Sequence, residues 1–243
     1  YEFNDSVKVV SAEANECYDG VKMQRTIFLM NLSLYKYPII VDIFRVYSER
    51  MHKYDYVLHH NGQIIEVNVK FKPNTTKLVP VGVNFGYQHI WDLGRGRITS
   101  DTVNRVTWLD GQRYYSFLSS GSEGDELILG KIGANDPNFN LRHEPLIILR
   151  RFARSTVFVS VIEPHGYFDE SKERSDEAFP RTVNVKVLGH SDEGVVIRVA
   201  SDKGGYIFML SNLDDPERLN VVKTEGEIFR WRGFYKILLL NGK

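Results

Sequence analysis

The sequence predicts an all-β fold, a large antiparallel β-sandwich of two stacked sheets with little helix. Three observations predict it. Most segments alternate apolar and polar residues with a period of two, roughly a dozen short strand-like runs follow one another, and glycine-containing turn signals separate them. No convincing amphipathic helix interrupts this pattern, and a short helix after Pro216 is the one candidate.

The predicted strands extend along the whole chain. Residues 65–71 and 183–187 alternate apolar with polar side chains, as half-buried strands do. Residues 39–46 are mostly apolar, as in a strand covered on both faces. The pair Asn61-Gly62 between two such runs predicts a β-hairpin. The remaining predicted strands are 26–30, 114–118, 127–129, 146–149, 156–162, 195–200, 206–210 and 236–240.

Length and charge limit the classes of function. A chain of 243 residues with zero net charge is long enough to bury a stable core without metal or disulfide staples. The balanced charge gives no overall footprint for nucleic acid or an anionic membrane. The single cysteine, Cys17, excludes an internal disulfide and a multi-cysteine zinc site. No apolar run is long enough to span a membrane, and no signal peptide is recognisable.

The stretch from Gly133 to Gly166 contains the polar residues most suggestive of ligand binding. Asn135 and Asn138 belong to a turn-forming loop at residues 135–140, and Arg142 follows it. Short polar side chains of this kind bond nearby backbone, so the loop is expected to be ordered rather than helical. A polar loop beside a strand end is a common place for ligand contacts in β proteins.

Glu163 and His165 lie at the end of the predicted strand 156–162. Pro164 should end that strand and leave Glu163 at its rim, while Gly166 turns the chain and brings His165 to the same edge. Arg142 is expected to hold Glu163 by a bidentate bond, so that a free carboxylate oxygen reaches a sugar hydroxyl. The alternative is that Glu163 only anchors the 135–140 loop.

A second polar cluster lies at residues 52–62. Its three histidines suggest a metal, but their spacing fits no zinc pattern, and the neighbours His59 and His60 point to opposite faces of a strand. Tyr54 and Tyr56 share one strand face, as core residues or sugar-stacking residues do. Tyr87-Gln-His-Ile-Trp91 mixes aromatic and hydrogen-bonding groups, which suits either sugar contact or packing.

Asp42 lies inside an apolar run and requires a partner, for which Arg25 and Arg45 are the candidates. No nucleophile motif, phosphate loop or dinucleotide fingerprint is present. The residues alone therefore indicate a β-sandwich with a polar, aromatic surface and no catalytic signature.

Several motifs follow one another in a fixed order over roughly the first 170 residues. They are Tyr18-Asp-Gly-Val21, Met23-Gln-Arg-Thr26, Pro38-Ile-Ile-Val-Asp-Ile-Phe-Arg-Val46, His52-Lys-Tyr-Asp-Tyr56, Gly62-Gln63, Tyr87-Gln-His-Ile-Trp91, Gly133-Ala-Asn-Asp-Pro-Asn-Phe-Asn-Leu-Arg142 and Ile162-Glu-Pro-His-Gly166. In that order the chain resembles the C-terminal β domain of heparinase II/III-like polysaccharide lyases. Within that group it resembles the oligoalginate lyases of polysaccharide lyase family seventeen.

The resemblance implies one β-sandwich domain of heparinase II/III C-terminal type over residues 1–243. This domain would be the C-terminal part of a longer lyase whose helical toroid domain and metal site are outside this chain. Such enzymes cleave 4-linked uronate polysaccharides by β-elimination, with the sandwich forming one wall of the substrate cleft. The chain would then hold no catalytic residue, metal or cofactor of its own and would be inactive alone, while a zinc-like divalent metal is implied for the parent enzyme.

The partners implied by the resemblance are a uronic-acid oligosaccharide or polysaccharide and the protein's own N-terminal helical domain, with no nucleic acid or membrane. A homodimer is left open, and the implied location is periplasmic or secreted. Because the chain begins at Tyr1 within strand-like sequence, we expect a fragment or a processed product of a longer protein. The expected substrate-binding residues are Glu163, Arg142, His165, Asn135, Asn138, Tyr54 and His59.

Three other functions are left open. The first is a non-catalytic carbohydrate-binding sandwich that uses the aromatics of 54–56 and 87–91. The second is a lyase acting on a heparin- or heparan-like uronate polysaccharide. The third is a sugar mutarotase or epimerase, which would need a glutamate and a histidine facing one open concave sheet. Many relatives have aromatics where this chain has His59 and His60, so the identity of the polymer is open too.

Overall fold

The computed structural model describes residues 2–99, 103–133 and 143–241. These residues form β-strands joined by turns and one short 3₁₀ turn at Tyr87–His89. The strands are β1 Glu2–Phe3, β2 Val7–Tyr18, β3 Val21–Met30, β4 Ile39–Ser48, β5 His52–His59, β6 Gln63–Val67, β7 Phe71–Pro73, β8 Val79–Pro80, β9 Ile90–Arg97, β10 Val103–Asp110, β11 Arg113–Ser120, β12 Glu126–Ile132, β13 Glu144–Ala153, β14 Thr156–Asp169, β15 Arg174–Asp176, β16 Thr182–His190, β17 Gly194–Ser201, β18 Gly204–Ser211, β19 Leu219–Lys223, β20 Ile228–Arg232 and β21 Tyr235–Asn241.

The strands form four antiparallel sheets. The central sheet has the order β1-β2-β3-β4-β14-β11-β10-β6, and β15 pairs with β14. The flanking sheet has the order β5-β13-β12-β9-β7, and β8 pairs with β9. The C-terminal sheet has the order β16-β17-β18-β21, and β19 and β20 form a two-stranded ribbon. The predicted all-β, antiparallel sandwich is confirmed.

Both faces of the central sheet are buried, because alternate side chains along its strands pack into two different cores. On β4, Ile39, Val41 and Ile43 pack against the C-terminal sheet in one core. The next residues along the same strand, such as Val46, pack against the flanking sheet in the other core. The sandwich of central and flanking sheets thus carries a third layer, which the prediction of two stacked sheets did not include.

Most predicted strands exist, but the hairpin predicted at Asn61-Gly62 is wrong. β5 pairs with β13 in the flanking sheet, whereas β6 pairs with β10 in the central sheet, so the connection crosses between layers. Gly62 has a positive φ of 80°, and a Cβ there would lie 2.1 Å from the Leu109 carbonyl oxygen. This glycine therefore permits a close backbone approach at the crossing instead of closing a two-residue turn.

Two further predictions of local structure are wrong. The single strand expected at 65–71 is divided between β6 and β7, which belong to different sheets. The residues after Pro216 form turns rather than a short helix. Within the described residues no helix is long and apolar enough to cross a membrane.

Candidate functional site

Glu163 holds a neighbouring segment of backbone in place. Its Oε1 accepts a hydrogen bond from the Arg181 backbone N–H at 2.7 Å, and its Oε2 accepts one from the Thr182 N–H at 2.9 Å. The residue is 2% exposed. Both oxygens are thus used where the chain enters β16, the first strand of the C-terminal sheet. Of the two roles weighed for Glu163, this geometry favours the anchor, and the segment that it anchors is residues 181 and 182.

His165 lies two residues further along β14, on the same face. Its Nδ1 is 2.8 Å from the Glu177 carbonyl oxygen, which can only accept, so Nδ1 carries the proton. The unprotonated Nε2 then accepts from the Ser116 hydroxyl at 2.9 Å. Burial lowers the pKa of His165, opposed by the hydrogen bond to the Glu177 backbone. The ring is neutral and bonded at both nitrogens.

The prediction that Pro164 ends the strand is wrong. β14 continues to Asp169, and Pro164 is paired with Tyr115 of β11. On the other edge of β14, the ladder with β4 stops at Ile162, so the missing N–H of Pro164 breaks no hydrogen bond there. Gly166 does not turn the chain either. A Cβ there would lie 2.0 Å from the Asp176 carbonyl oxygen, so the glycine admits the strand that folds back along β14.

A cavity of about 580 Å³ lies beside Glu163 and His165. Its other walls include Tyr37, Phe179 and Lys203. Residues 175–181 cross over this face, held by Glu163, by His165 and by the ion pair between Lys36 Nζ and the Glu177 carboxylate at 3.1 Å. The face is therefore covered by the chain itself. This argues against a mutarotase or epimerase, which would need it open.

Three of the predicted contacts, Asn135, Asn138 and Arg142, lie outside the described residues. Their contact with Glu163 or with a sugar stays a prediction. Glu163 and His165 are brought together by β14, whereas Tyr54 and His59 lie on β5 in the flanking sheet. The seven predicted residues therefore do not form one cluster among the residues that can be placed.

Tyr54 and Tyr56 point into the core between the central and flanking sheets. The Tyr54 hydroxyl donates to the Arg154 carbonyl at 2.9 Å, and the side chain is 9% exposed. The Tyr56 hydroxyl donates to Asp42 Oδ2 at 2.8 Å, and burial raises the pKa of Tyr56. Both rings belong to one buried cluster. The geometry favours packing over sugar stacking for the pair.

Asp42 is paired as predicted, and its partner is Arg25. Arg25 Nη2 donates to Asp42 Oδ2 at 2.6 Å, and Nε donates to both oxygens at 3.1 Å. The hydrogen bond to Asp42 raises the pKa of Arg25. The other candidate, Arg45, takes a different role, since its Nη1 donates to the Gln24 side-chain oxygen at 3.1 Å.

The two adjacent histidines do not converge on a metal. His59 is exposed on the outer face of β5, while His60 is buried with its ring against Trp108, 4.7 Å between centroids. Nδ1 of His60 lies 2.9 Å from the Asn61 carbonyl oxygen. Across residues 2–99, 103–133 and 143–241, no three His, Cys, Asp or Glu side chains are grouped so as to hold a metal ion. The described donor set therefore does not fit the divalent metal implied for the parent enzyme.

An ion-pair network on the outer face of the flanking sheet was missed by sequence reasoning. Arg150 and Asp55 form a bidentate pair with both N–O distances at 2.7 Å, and the Tyr87 hydroxyl donates to Asp55 at 2.6 Å. Glu126 links Arg150 to Arg95 at 3.8 and 3.2 Å. The cross-strand register brings these charges together, and no local motif signals it. Tyr87 thus serves packing and ion-pair support.

Comparisons with known proteins agree with this architecture. An exo-oligoalginate lyase of Saccharophagus degradans is 32% identical over 239 residues, which cover 97% of this chain and 32% of that protein. An alginate lyase of Stenotrophomonas maltophilia is 29% identical over 235 residues, covering 96% of this chain and 31% of that protein. The chain therefore spans about a third of the length of these relatives. No protein-family model matches the chain.

The solved structure of a heparan sulfate lyase HepC mutant from Pedobacter heparinus superposes with a TM-score of 0.50 at 12% identity. The match covers 87% of this chain and 27% of that structure. The chain thus has a β-sandwich fold that also occurs in a polysaccharide lyase. The predicted relation to the alginate lyases is confirmed by sequence, whereas the heparan sulfate lyase is similar in fold alone.

Proposed function

We propose that this chain is the C-terminal β-sandwich domain of an alginate lyase of the oligoalginate type. The parent enzyme would cleave 4-linked uronate polysaccharide by β-elimination, and the sandwich would form one wall of the substrate cleft. The observation that carries the proposal is the alignment of 97% of the chain with an exo-oligoalginate lyase at 32% identity. The proposal assigns residues 1–243 to a single domain and the helical toroid domain to the rest of the parent protein.

β-Elimination requires three things at the sugar: a group that neutralises the carboxylate, a base for the adjacent proton, and an acid for the leaving oxygen. Glu163 and His165, the glutamate and histidine expected at the site, are both bonded within the chain. This supports a division of labour in which the rest of the parent enzyme supplies the reacting groups. The isolated chain is then inactive.

The proposal also assigns the divalent metal to the remainder of the parent enzyme. The residues described here lack a fitting donor group, so no step of the reaction is derived through a metal. A periplasmic or secreted location belongs to the proposal as well, because a lyase must meet a charged polymer that does not cross membranes unaided. The proposed partners are a uronate oligosaccharide or polysaccharide and the enzyme's own helical domain.

The first test is reconstitution. The chain alone, the N-terminal portion of the gene product alone, and their mixture are incubated with alginate, and the ultraviolet absorbance of unsaturated uronate is followed. We expect a rise for the mixture and none for this chain alone. Activity of the isolated chain, or a folded mixture without activity on any uronate polymer, would contradict the proposal.

Alginate is preferred to a heparin- or heparan-like polymer because both sequence relatives are named as alginate lyases. The heparan sulfate lyase is similar in fold alone, at 12% identity. A purely carbohydrate-binding sandwich is less well supported in its predicted form, because the hydroxyls of Tyr54 and Tyr87 and most of their surface are engaged within the chain. Heparan sulfate and alginate supplied in parallel to the parent enzyme separate the two polymers.

A further inference from the structure

A polar groove runs between the central sheet and the C-terminal sheet, on the side away from the Glu163 cavity. Its main cavity is about 670 Å³. A second cavity of about 330 Å³ adjoins it and shares the walls formed by residues 155–157 and His190. Small-molecule sites typically measure roughly 300–1,000 Å³. The groove therefore has room for one or more sugar rings.

Arg45 lines the main cavity, and no described residue forms an ion pair with it. Its Nη1 donates to the Gln24 side-chain oxygen at 3.1 Å, and its Nη2 lies 3.5 Å from the Ser191 carbonyl oxygen, so both partners are neutral. Among the described residues no carboxylate lies within 4 Å of this guanidinium. Burial lowers the pKa of Arg45, partly offset by the more distant Asp192 and Glu13.

Three partly buried arginines have a carboxylate partner, whereas Arg45, like Arg113, contacts neutral groups. Arg25, Arg150 and Arg151 each form a bidentate pair with an aspartate. A desolvated guanidinium without such a partner keeps donor capacity for an incoming carboxylate, which it recognises by paired N–H bonds. Arg45 is therefore suited to hold an external anion.

The residues around Arg45 form a small regular patch. Gln24 is directly opposite Arg45 across β3 and β4, and Lys22 is directly opposite Tyr47. Tyr47 is 45% exposed and lies two residues from Arg45, so both side chains are on the same sheet face. All four side chains line the cavity. An exposed aromatic ring, an amide and two cations on one face are the groups that a sugar carboxylate and its ring require.

The chemistry of the opposite wall is compatible with a hydroxylated ligand. The C-terminal sheet and its turns contribute His190, Ser191 and Asn212. Burial and the charge of Arg45 lower the pKa of His190, which keeps its ring neutral and able to donate and accept hydrogen bonds. Lys186 lines the adjoining cavity. The main cavity is lined by two carboxylates, Glu13 and Asp192, as well as by Lys22 and Arg45, so its charged residues balance.

We propose that this groove is a non-catalytic binding site for an acidic oligosaccharide, with a uronate carboxylate on Arg45, its ring against Tyr47 and Lys22 beside the next charge. The choice of a uronate as the acid rests on the proposed function, whereas the site itself rests on the groove. The site lies on β3 and β4, away from the residues around Glu163. It would hold the polymer on the sandwich while the parent enzyme acts on a chain end elsewhere.

The test is titration calorimetry of this chain with oligouronates prepared from alginate, and with a neutral cello-oligosaccharide of equal length. We expect binding of the oligouronate that weakens with added salt, and weaker binding of the neutral sugar by about tenfold or more. Arg45→Gln should weaken oligouronate binding by about tenfold or more, since it removes a charge-assisted contact. Arg45→Lys should restore part of the affinity, and Tyr47→Ala should lower it without removing the charge.

The matched control is Arg198→Gln, which makes the same charge change on β17. Arg198 is exposed, and its neighbour Val196 packs on the face of the C-terminal sheet that is turned away from the central sheet. The affinity of the Arg198→Gln variant for the oligouronate should stay within about twofold of that of the unsubstituted chain, as expected for a distant surface charge. Circular dichroism confirms that each variant is folded. Absence of oligouronate binding by the folded parent chain would overturn the proposal, and so would equal losses in Arg45→Gln and Arg198→Gln.

The binding test of the groove and the activity test of the proposed lyase can fail independently. Lyase activity of the reconstituted enzyme with no oligouronate binding in the groove would refute the groove and leave the enzyme class intact. Binding lost in Arg45→Gln, together with an inactive reconstituted enzyme, would support the groove and refute the lyase.

Discussion

Replacing Glu163 by glutamine separates an anchor from a substrate contact. Glutamine keeps the shape and one oxygen, but its amide N–H₂ group would face one of the two backbone donors, Arg181 N–H or Thr182 N–H, now bonded at 2.7 and 2.9 Å. Hydrogen bonds to a charged group contribute about 1.5–3 kcal/mol each, and an unpaired buried donor costs a similar amount. We therefore expect a loss of about 3 kcal/mol, because one bond is removed and the other loses its charge.

For a domain of this size the loss corresponds to a fall in melting temperature of about 6–12 °C. The assay is thermal unfolding followed by circular dichroism, with Glu170→Gln as control. Glu170 is exposed in the turn after β14, and its variant should melt within about 1 °C of the parent. In the reconstituted enzyme, the folded Glu163→Gln protein should keep its kcat/KM. An unchanged melting temperature together with a lower kcat/KM would refute the anchoring role and restore the substrate contact.

Three further substitutions test other parts of the fold. Asp42→Asn keeps one oxygen acceptor but removes the charge that pairs with the partly exposed Arg25 guanidinium. It should cost about 1.5–3 kcal/mol in denaturant unfolding, so no measurable loss would contradict the pair. The neutral ring of His165 is favoured in the folded state, so its stabilisation is complete above the unfolded pKa near 6.5 and is lost as the pH falls through the lower folded value. His165→Gln should therefore reduce the fall in stability on acidification, and an unchanged slope would count against it. Gly166→Ala places a Cβ 2.0 Å from the Asp176 carbonyl oxygen, so β15 should be displaced and become more sensitive to proteolysis. Unchanged proteolysis and an unchanged melting temperature would contradict the need for glycine at this position.

The fold class could be read from the sequence because period-two alternation reports directly which strand faces are buried. Strand β16 is predicted for this reason, whereas β4 is predicted from its continuous apolar run. The number of layers could not be read in the same way. A strand that is apolar on both faces, as β4 is, requires a covering layer on each side. The sequence does not indicate which later strands form the second covering layer.

The wrong local predictions share one physical cause: pairing with strands far away in the sequence overrides the local signals. Asn61-Gly62 is a strong turn signal, yet its flanking strands pair with different sheets. Pro164 continues a strand because the ladder on one side has already ended. Both outcomes depend on partners far away in the sequence.

The candidate site was predicted in part. The need of Asp42 for an arginine followed from its apolar neighbours, and the partner is one of the two expected. The sequence predicts that a turn at Gly166 brings Glu163 and His165 to one edge, whereas both lie within β14 and residues 175–181 cover them. The groove around Arg45 was not foreseen, because its walls come from strands nearly 150 residues apart.

The measurement that tests the central claim most directly is the activity of the complete gene product on alginate. Purified parent enzyme is incubated with alginate oligomers and, in parallel, with heparan sulfate, and unsaturated uronate is followed by ultraviolet absorbance and mass spectrometry. Our account predicts unsaturated products from the alginate oligomers and little or none from heparan sulfate. A folded parent enzyme that releases no unsaturated product from alginate would contradict it.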